Sequence, residues 1–449
     1  MKAGFWQDKH KIYCVGIGGI SMSGLALHLQ ALGFSVSGSD AAAAETTALL
    51  ENAGIPVFSG ADVARVEGAD AVVYTSAIPA GHPELARARE CGIPVYERAE
   101  LLSLVASDYE NVIGVAGCHG KTTATAMCAH VLDVCSGSCS AHIGGLDAEY
   151  GNFYEGGRKY FVTEACEYRA HFLQLKPDLA VFLNTGEDHL DYYGSREALV
   201  RANEAFLSSA RGRIVWGEDA LAARVRPDLT FGFSPQSDVR AVGIRGVRGM
   251  YSFSLCVRGA LRTRVRLRAY GRHNILNALA AAAVAEYYGY PAECAAEGLR
   301  RFRAIRRRFE SLGEIGGAAV IADYAHHPSE IAAAVRTARE ICRGRLFVVF
   351  QPHTYSRTRT LFDSFVSVLS GLENLVVFKT FAAREYFDAA GSALTLSQHL
   401  PNSLYVESVR ELDAYLRRSL RPGDVALVLG AGDIYYAVKR ILQERPKIG

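Results

Sequence analysis

Short apolar runs of four or five residues punctuate the chain, and between them apolar positions return every three or four residues. The first pattern predicts buried strands and the second amphipathic helices. Strands are predicted at 12–16, 34–38 and 71–75, with a helix at 21–32. A polar stretch at 107–111 reads as a linker. Beyond it a strand at 112–116 leads through a glycine-rich turn into a helix at 121–134, and further strands follow at 159–163 and 179–183. An alanine-rich helix at 274–287 and a basic cluster at 300–308 close this second part. The last third has strands at 318–321, 346–350, 375–378 and 425–429, interleaved with helices. Strand–helix alternation implies parallel sheets with helices on their faces. The prediction is three consecutive α/β domains, over residues 1–107, 108–310 and 311–449.

Composition narrows the class further. The 449 residues carry 49 Lys and Arg against 47 Asp and Glu, a net charge of +2. That balance excludes a chain built throughout as a polycation for nucleic acid or anionic membrane, and leaves room for local patches. With 49% hydrophobic and 21% charged residues, the chain is a folded one. Ten cysteines with no CxxC pair are too dilute for a disulfide scaffold, so reduced thiols are expected. The apolar run near the amino terminus imitates a signal peptide, but Gly16, Gly18, Gly19 and Ser21 interrupt it and no cleavage site follows. No apolar stretch reaches the ~20 residues that span a bilayer. A cytoplasmic location is expected.

Two glycine-rich turns carry candidate chemistry. Gly16-Ile17-Gly18-Gly19 follows a predicted strand and opens a helix, where free N–H groups attract phosphate. A strict GxGxxG fingerprint needs glycine at position 21, and the chain has Ser21. Asp40 lies just beyond the next strand, placed to accept hydrogen bonds from a ribose. The readings are a tight turn without ligand, an NAD site with a broken fingerprint, or a site for another nucleotide diphosphate; the last fits best. The second turn is Gly117-Cys118-His119-Gly120-Lys121-Thr122-Thr123. Such a loop cradles phosphates with backbone N–H groups, its lysine neutralises β/γ charge, and a hydroxyl serves Mg²⁺. The GxxxxGK spacing is missed by one residue, because Gly114 stands six before Gly120. Glu164, Glu167 and the pair Asp188-His189 follow predicted strands, and their carboxylates suit Mg²⁺, which prefers oxygen ligands.

With GIGGISMSGLA, GCHGKTT, EACEYRAHF, NTGEDHLDYY, GRHNILNALA, RRRFE, DYAHHPSEI, FQPHTYSRT, AARE and GAGDI in order, the chain resembles the Mur ligases of peptidoglycan synthesis over its whole length. Within them it is most similar to the branch that adds the first amino acid, L-alanine, to UDP-N-acetylmuramate with ATP. The resemblance implies a Rossmann-like UDP-binding domain, a P-loop ATP-binding central domain and a Rossmann-like C-terminal domain for the amino acid. It implies that Gly16, Gly18, Gly19, Ser21, Asp40 and Ser76 face the uridine diphosphate. Gly117, Cys118, His119, Gly120, Lys121, Thr122 and Thr123 would surround the ATP phosphates. Thr122, Glu164 and His189 would serve Mg²⁺. His273, Asn274 and Asn277 would approach the adenine, Arg308 the γ-phosphate, and Asp323 the ribose. His327 and Arg357 would line the amino-acid site. Lys121, His189, Arg308 and His327 are then the catalytic candidates, His327 either as the base for the alanine ammonium or as a shaper of the domain interface.

Several Mur ligases use a carbamylated lysine downstream of the DHxD motif, but residues 188–210 contain no lysine here, and Glu204 is a candidate substitute. Cys118 stands where the family usually has threonine or another polar residue, and a thiol at a helix start invites oxidation or alkylation. Ala322 replaces a frequent aspartate. The expected partners are UDP-N-acetylmuramate and L-alanine, with no nucleic acid, no membrane insertion, and a monomer or weak homodimer. The competing readings are a ligase that attaches a preformed peptide to the same UDP-sugar, an NAD-dependent oxidoreductase, and an inactive nucleotide-binding protein.

Overall fold

The computed structural model describes residues 9–186 and 190–444, so Asp188 and His189 lie outside the described residues. The first sheet comprises β1 (Lys11–Val15), β2 (Ser35–Asp40), β3 (Val57–Ser59), β4 (Ala71–Tyr74) and β5 (Val95–Glu97), ordered β3-β2-β1-β4-β5. All four pairings are parallel. The order reverses between β1 and β4, so the turn after β1 opens at a switch point, where ligands of such sheets bind.

The second sheet is built around β6 (Asn111–Ala116). The other strands are β7 (Cys139–Asp147), β8 (Gly151–Tyr154), β9 (Tyr160–Glu164), β10 (Leu179–Phe182), β11 (Gly212–Trp216), β12 (Leu229–Gly232), β13 (Val239–Val247), β14 (Met250–Val257) and β15 (Ala260–Tyr270). Their order is β15-β14-β13-β12-β11-β10-β6-β9-β7-β8. β6 pairs in parallel with β9 on one side and β10 on the other, so the loop after β6 also opens at a switch point. The third sheet has β16 (Glu310–Ile315), β17 (Ala318–Asp323), β18 (Leu346–Phe350), β19 (Asn374–Phe378), β20 (Ser403–Val406) and β21 (Val425–Leu429). Its order is β16-β17-β21-β18-β19-β20, parallel except for β16.

The three sheets make two compact units. One runs to Arg245 and includes Ser252–Leu267 and Asn274–Arg303; the other starts at Ala304 and includes Gly246–Tyr251 and Arg268–His273. The first two sheets merge because they share one apolar core. Leu25 and Leu29 of the helix Ile20–Ala31, Leu102 and Val105 of the helix Arg98–Ala106, and Phe161, Phe172 and Phe206 belong to it. Polar contacts reinforce the junction: Asn152 Nδ2 donates to Ile20 O at 2.7 Å and to Ser23 Oγ at 2.8 Å. A linker at 107–111 is therefore not a flexible hinge between isolated cores. In the other unit, separate cores line the two faces of the third sheet.

The expectation of reduced thiols needs correction at one pair. Cys135, at the end of the helix Lys121–Ser136, is bonded to Cys294 in the helix Ala292–Arg301. The helices cross closely at Gly298, where a Cβ would stand 2.5 Å from Val131 Cα. That approach brings the two Cα atoms to 5.3 Å, inside the range a disulfide requires. The other eight cysteines are free thiols. Among the described residues, no helix is long and apolar enough to cross a membrane.

Candidate active site

The phosphate loop takes its shape from the strand before it and the helix after it. Gly120 adopts φ +87°, a left-handed conformation that glycine enters without a Cβ penalty, and caps the helix Lys121–Ser136. Asn184, just after β10, holds the loop at its middle. Its carbonyl oxygen Oδ1 accepts from His119 N–H at 2.9 Å, its Nδ2 donates to His119 O at 2.9 Å, and its backbone O accepts from Cys118 N–H at 3.0 Å. The Asn277 side chain packs against Gly120, and its Nδ2 donates to Asn274 Oδ1 at 2.9 Å. The first-turn N–H groups of the helix have no partner within the helix and form an anion-binding end.

Lys121 is folded back onto its own loop. Its Nζ donates to Gly117 O at 2.7 Å, Cys118 O at 3.0 Å and Glu167 Oε1 at 2.8 Å. Burial alone would lower the ammonium pKa, but the Glu167 carboxylate outweighs it and holds the group above its ordinary value. Thr122 is buried at the helix start. Glu164 ends β9, and its Oε1 accepts from Gly144 N–H at 2.8 Å. Cys118 Sγ lies 3.6 Å from His119 Nε2. The Glu204 carboxylate, the candidate substitute for a carbamylated lysine, pairs instead with Arg224.

At the first turn Gly16 N–H and Ile17 N–H both donate to Ser39 O, at 2.8 and 3.0 Å. Asp40 reaches back into the turn: Oδ2 accepts from Gly18 N–H at 2.9 Å and Oδ1 from Ala42 N–H at 3.2 Å. Gly19 N–H donates to Gly16 O at 3.2 Å. Ser21 Oγ is held 2.8 Å from His142 Nε2 and accepts from Arg98 Nη1 at 3.0 Å. Burial pushes the His142 imidazole down to about 3, aided by the Arg98 charge, so the ring is neutral near pH 7. Burial also lowers Arg98, against the opposing influence of Cys166, Glu97 and Glu164. Arg98, Glu164, Cys166 and His171 line one small cavity of about 30 Å³. Ser76 is half-buried in the turn after β4.

The second unit gathers a different set. Asp323, at the end of β17, accepts from Phe309 N–H and Ala325 N–H, each at 2.8 Å, and so fixes the segment that carries Arg308. Burial pushes its carboxyl up to about 6, although Arg308 and the two N–H groups pull it down. Arg308 Cζ sits 5.3 Å from the Tyr324 ring centre. His273 is pushed down to about 4 by burial and then by Arg308 and Arg336. His327 caps the helix Pro328–Ile341, its Nδ1 2.8 Å from Ser329 Oγ. The neighbouring His326 faces His353 at 5.9 Å between ring centres, and Arg357 Nη1 approaches His353 Nδ1 at 3.2 Å. Burial lowers both imidazoles, His353 to about 4.

Three family models match the chain in order. They are the Mur ligase family catalytic domain over residues 11–110, the Mur ligase middle domain over 115–285, and the Mur ligase glutamate ligase domain over 307–432. The chain belongs to the Mur ligase family. A UDP-N-acetylmuramate–L-alanine ligase of Clostridium novyi is 37% identical, covering 99% of this chain and 100% of that protein. One of Acetivibrio thermocellus is also 37% identical, over 98% of this chain and 97% of that protein. A solved UDP-N-acetylmuramate-alanine ligase from Thermotoga maritima has TM-score 0.84 at 31% identity, covering 96% of this chain and 98% of that one. A murein peptide ligase from Psychrobacter arcticus has TM-score 0.74 at 23% identity, which shows the shared fold.

Several residues of this Mur ligase escape a reading of the sequence alone. Asn184 lies inside the segment NTGEDHLDYY, but its role depends on a partner 65 residues away. Arg98, the first residue of a helix, and His142 of β7 meet at Ser21 from distant parts of the chain, and no local pattern announces that. His326 and His353 do sit in legible motifs. His327-Pro328-Ser329-Glu330 also carries a legible helix-start signal, with Glu330 Oε2 accepting from His327 N–H at 3.3 Å.

Proposed function

We propose that this chain joins L-alanine to the carboxylate of UDP-N-acetylmuramate through an acyl phosphate, converting ATP to ADP and phosphate and yielding UDP-N-acetylmuramoyl-L-alanine. The observation that carries this reading is full-length similarity, at 36–37% identity, to relatives bearing that one activity in their names. The muramoyl carboxylate attacks the γ-phosphorus, the bond to the bridging oxygen breaks, and ADP leaves. The alanine amine then attacks the acyl carbon, and phosphate departs from the tetrahedral intermediate. Lys121 and Arg308 stabilise the phosphoryl charge, the largest contribution such sites make. Asp40 reads the uridine ribose, Asn274 and Asn277 border the nucleotide, and Asp323 holds the Arg308 segment. Arg357 takes the alanine carboxylate in a bidentate fork. Between the two adjacent histidines, His326 is the better base for the alanine ammonium. It is neutral near pH 7 and stands close to His353 and Arg357, whereas the His327 ring caps a helix.

Among the described residues no three His, Cys, Asp or Glu side chains gather into a metal cage. Mg²⁺ commonly takes one or two carboxylates together with substrate phosphates and waters, so an ion completed by the nucleotide suits this donor set. Thr122 and Glu164 are the oxygen donors that would hold it. Bound there, the ion would neutralise phosphate charge. The location proposed for the enzyme is the cytoplasm.

Phosphate release that requires both UDP-N-acetylmuramate and L-alanine tests the reading. Glycine, L-serine and a preformed peptide serve as competing acceptors. Release with the peptide and none with L-alanine would overturn it.

A further inference from the structure

Between Val239 and Ala285 the chain carries nine arginines and no Asp or Glu, in a molecule whose net charge is only +2. Neither the phosphate loop nor the glycine turn uses this charge. Much of it lies on β15, which is the edge strand of the ten-stranded sheet. Val265 and Leu267 point into the core, and the alternate positions Arg262, Arg264 and Arg266 are exposed. Residues two apart on a strand are about 6.8 Å apart, so three guanidinium groups form a comb about 14 Å long. Arg264 Nη2 reaches Ser252 Oγ of β14 at 3.4 Å. Among the described residues no carboxylate pairs with any of the three. Arg258, in the turn before the strand, stands 3.7 Å from Glu286.

Charges on an edge strand discourage pairing with another chain. That need is met by charges of mixed sign, which would also avoid the repulsion that like neighbours create on one face. A single sign, and arginine throughout, calls for an anionic counter-surface. Arginine grips phosphate bidentately.

We infer that this arginine comb adsorbs the protein to an anionic phospholipid surface, without insertion. One observation favours lipid over nucleic acid: the outward positions of β14 beside the comb are Ser252 and Ser254, so the face lacks the aromatic platform on which bases stack. Each basic residue at such a surface contributes about fivefold to partitioning, so the three together contribute about a hundredfold.

The test is flotation of the full chain with vesicles of phosphatidylcholine containing about 30% phosphatidylglycerol, against pure phosphatidylcholine. Binding is expected only to the anionic vesicles, and it should fade between about 0.05 M and about 0.5 M salt. The variant R262E/R264E/R266E should lose about a hundredfold in partitioning and keep its lipid-free phosphate release. The neutral variant R262Q/R264Q/R266Q guards against a folding defect and should lose binding too. Equal partitioning of parent and both variants overturns the inference. So does absence of binding to the anionic vesicles, or tighter binding to single-stranded RNA than to them.

Discussion

Two glycine turns leave parallel strands within one compact unit, and they close on opposite charges. The turn after β1 closes on a carboxylate: Asp40 accepts the Gly18 N–H at 2.9 Å. The loop after β6 closes on an ammonium: Lys121 donates to two of the loop's own carbonyls and to Glu167. The topology is alike and the ligand preference is not. A carboxylate in a turn repels phosphate and accepts hydrogen bonds from hydroxyls, which suits the ribose of a nucleoside diphosphate sugar. An ammonium attracts phosphate directly, and the Glu167 carboxylate holds it above its ordinary pKa against the pull of burial.

Lys121→Met is the strongest way to break this comparison. Phosphate release should fall by about a hundredfold to a thousandfold, as when one major stabiliser of transition-state charge is removed. Titration calorimetry should find UDP-N-acetylmuramate binding unchanged, because the first turn does not depend on the ammonium. Weakening of both ligands together would mean that the turns do not act separately. Because Lys121→Met removes the ammonium that Glu167 Oε1 accepts from at 2.8 Å, Lys121→Met/Glu167→Gln should recover thermal stability without recovering activity.

The loop after β6 is also the one whose helix is fastened covalently, through Cys135 and Cys294. The link spans 159 residues, and closing a loop of that size stabilises by about 2–4 kcal/mol in practice. Cys135→Ser/Cys294→Ser should lower the denaturation midpoint accordingly, and reductant should reproduce the effect on the parent alone. An unchanged midpoint in both cases would dismiss the link as a source of stability.

How much of this was legible from residues alone follows the range of the interactions. Both turns were legible, because Gly-Lys-Thr after an apolar strand, and a glycine turn with a carboxylate past the next strand, are local patterns. The three sheets were legible from alternating apolar runs. The fusion of the first two into one unit was not, since it rests on Leu25, Leu102 and Phe161 meeting across sheets. Cys135 and Cys294 look like dilute thiols until the helix crossing at Gly298 is known. The choice between His326 and His327 turns on one capping contact, whose local signal is Pro-Ser-Glu after the histidine.

Asp40→Asn probes the other side of the comparison with a smaller effect. An amide keeps one acceptor and loses the charge, so the KM for UDP-N-acetylmuramate should rise about tenfold, the scale of one charge-assisted hydrogen bond. The KM for ATP should stay as it was. A rise in both would place Asp40 in the shared architecture rather than at the nucleoside.

The smallest effect, absent at neutral pH, separates the turns by acid. His142, which holds Ser21 beside the first turn, is pushed down to about 3 by burial and by Arg98. In an unfolded chain the same imidazole titrates near ~6.5. The neutral ring therefore contributes stability that is complete above about pH 6.5 and is lost progressively as pH falls toward 3. Nothing comparable is expected of Lys121, whose pKa is raised and whose ammonium stays charged throughout that window. Denaturant midpoints measured from pH 7 to pH 4 should fall in the parent and fall less steeply in His142→Gln, with the two curves separating below about pH 6.5. Parallel curves would mean that the acid sensitivity of the unit arises elsewhere, and that the neutral His142–Ser21–Arg98 contact does not distinguish the carboxylate-closed turn from the ammonium-closed one.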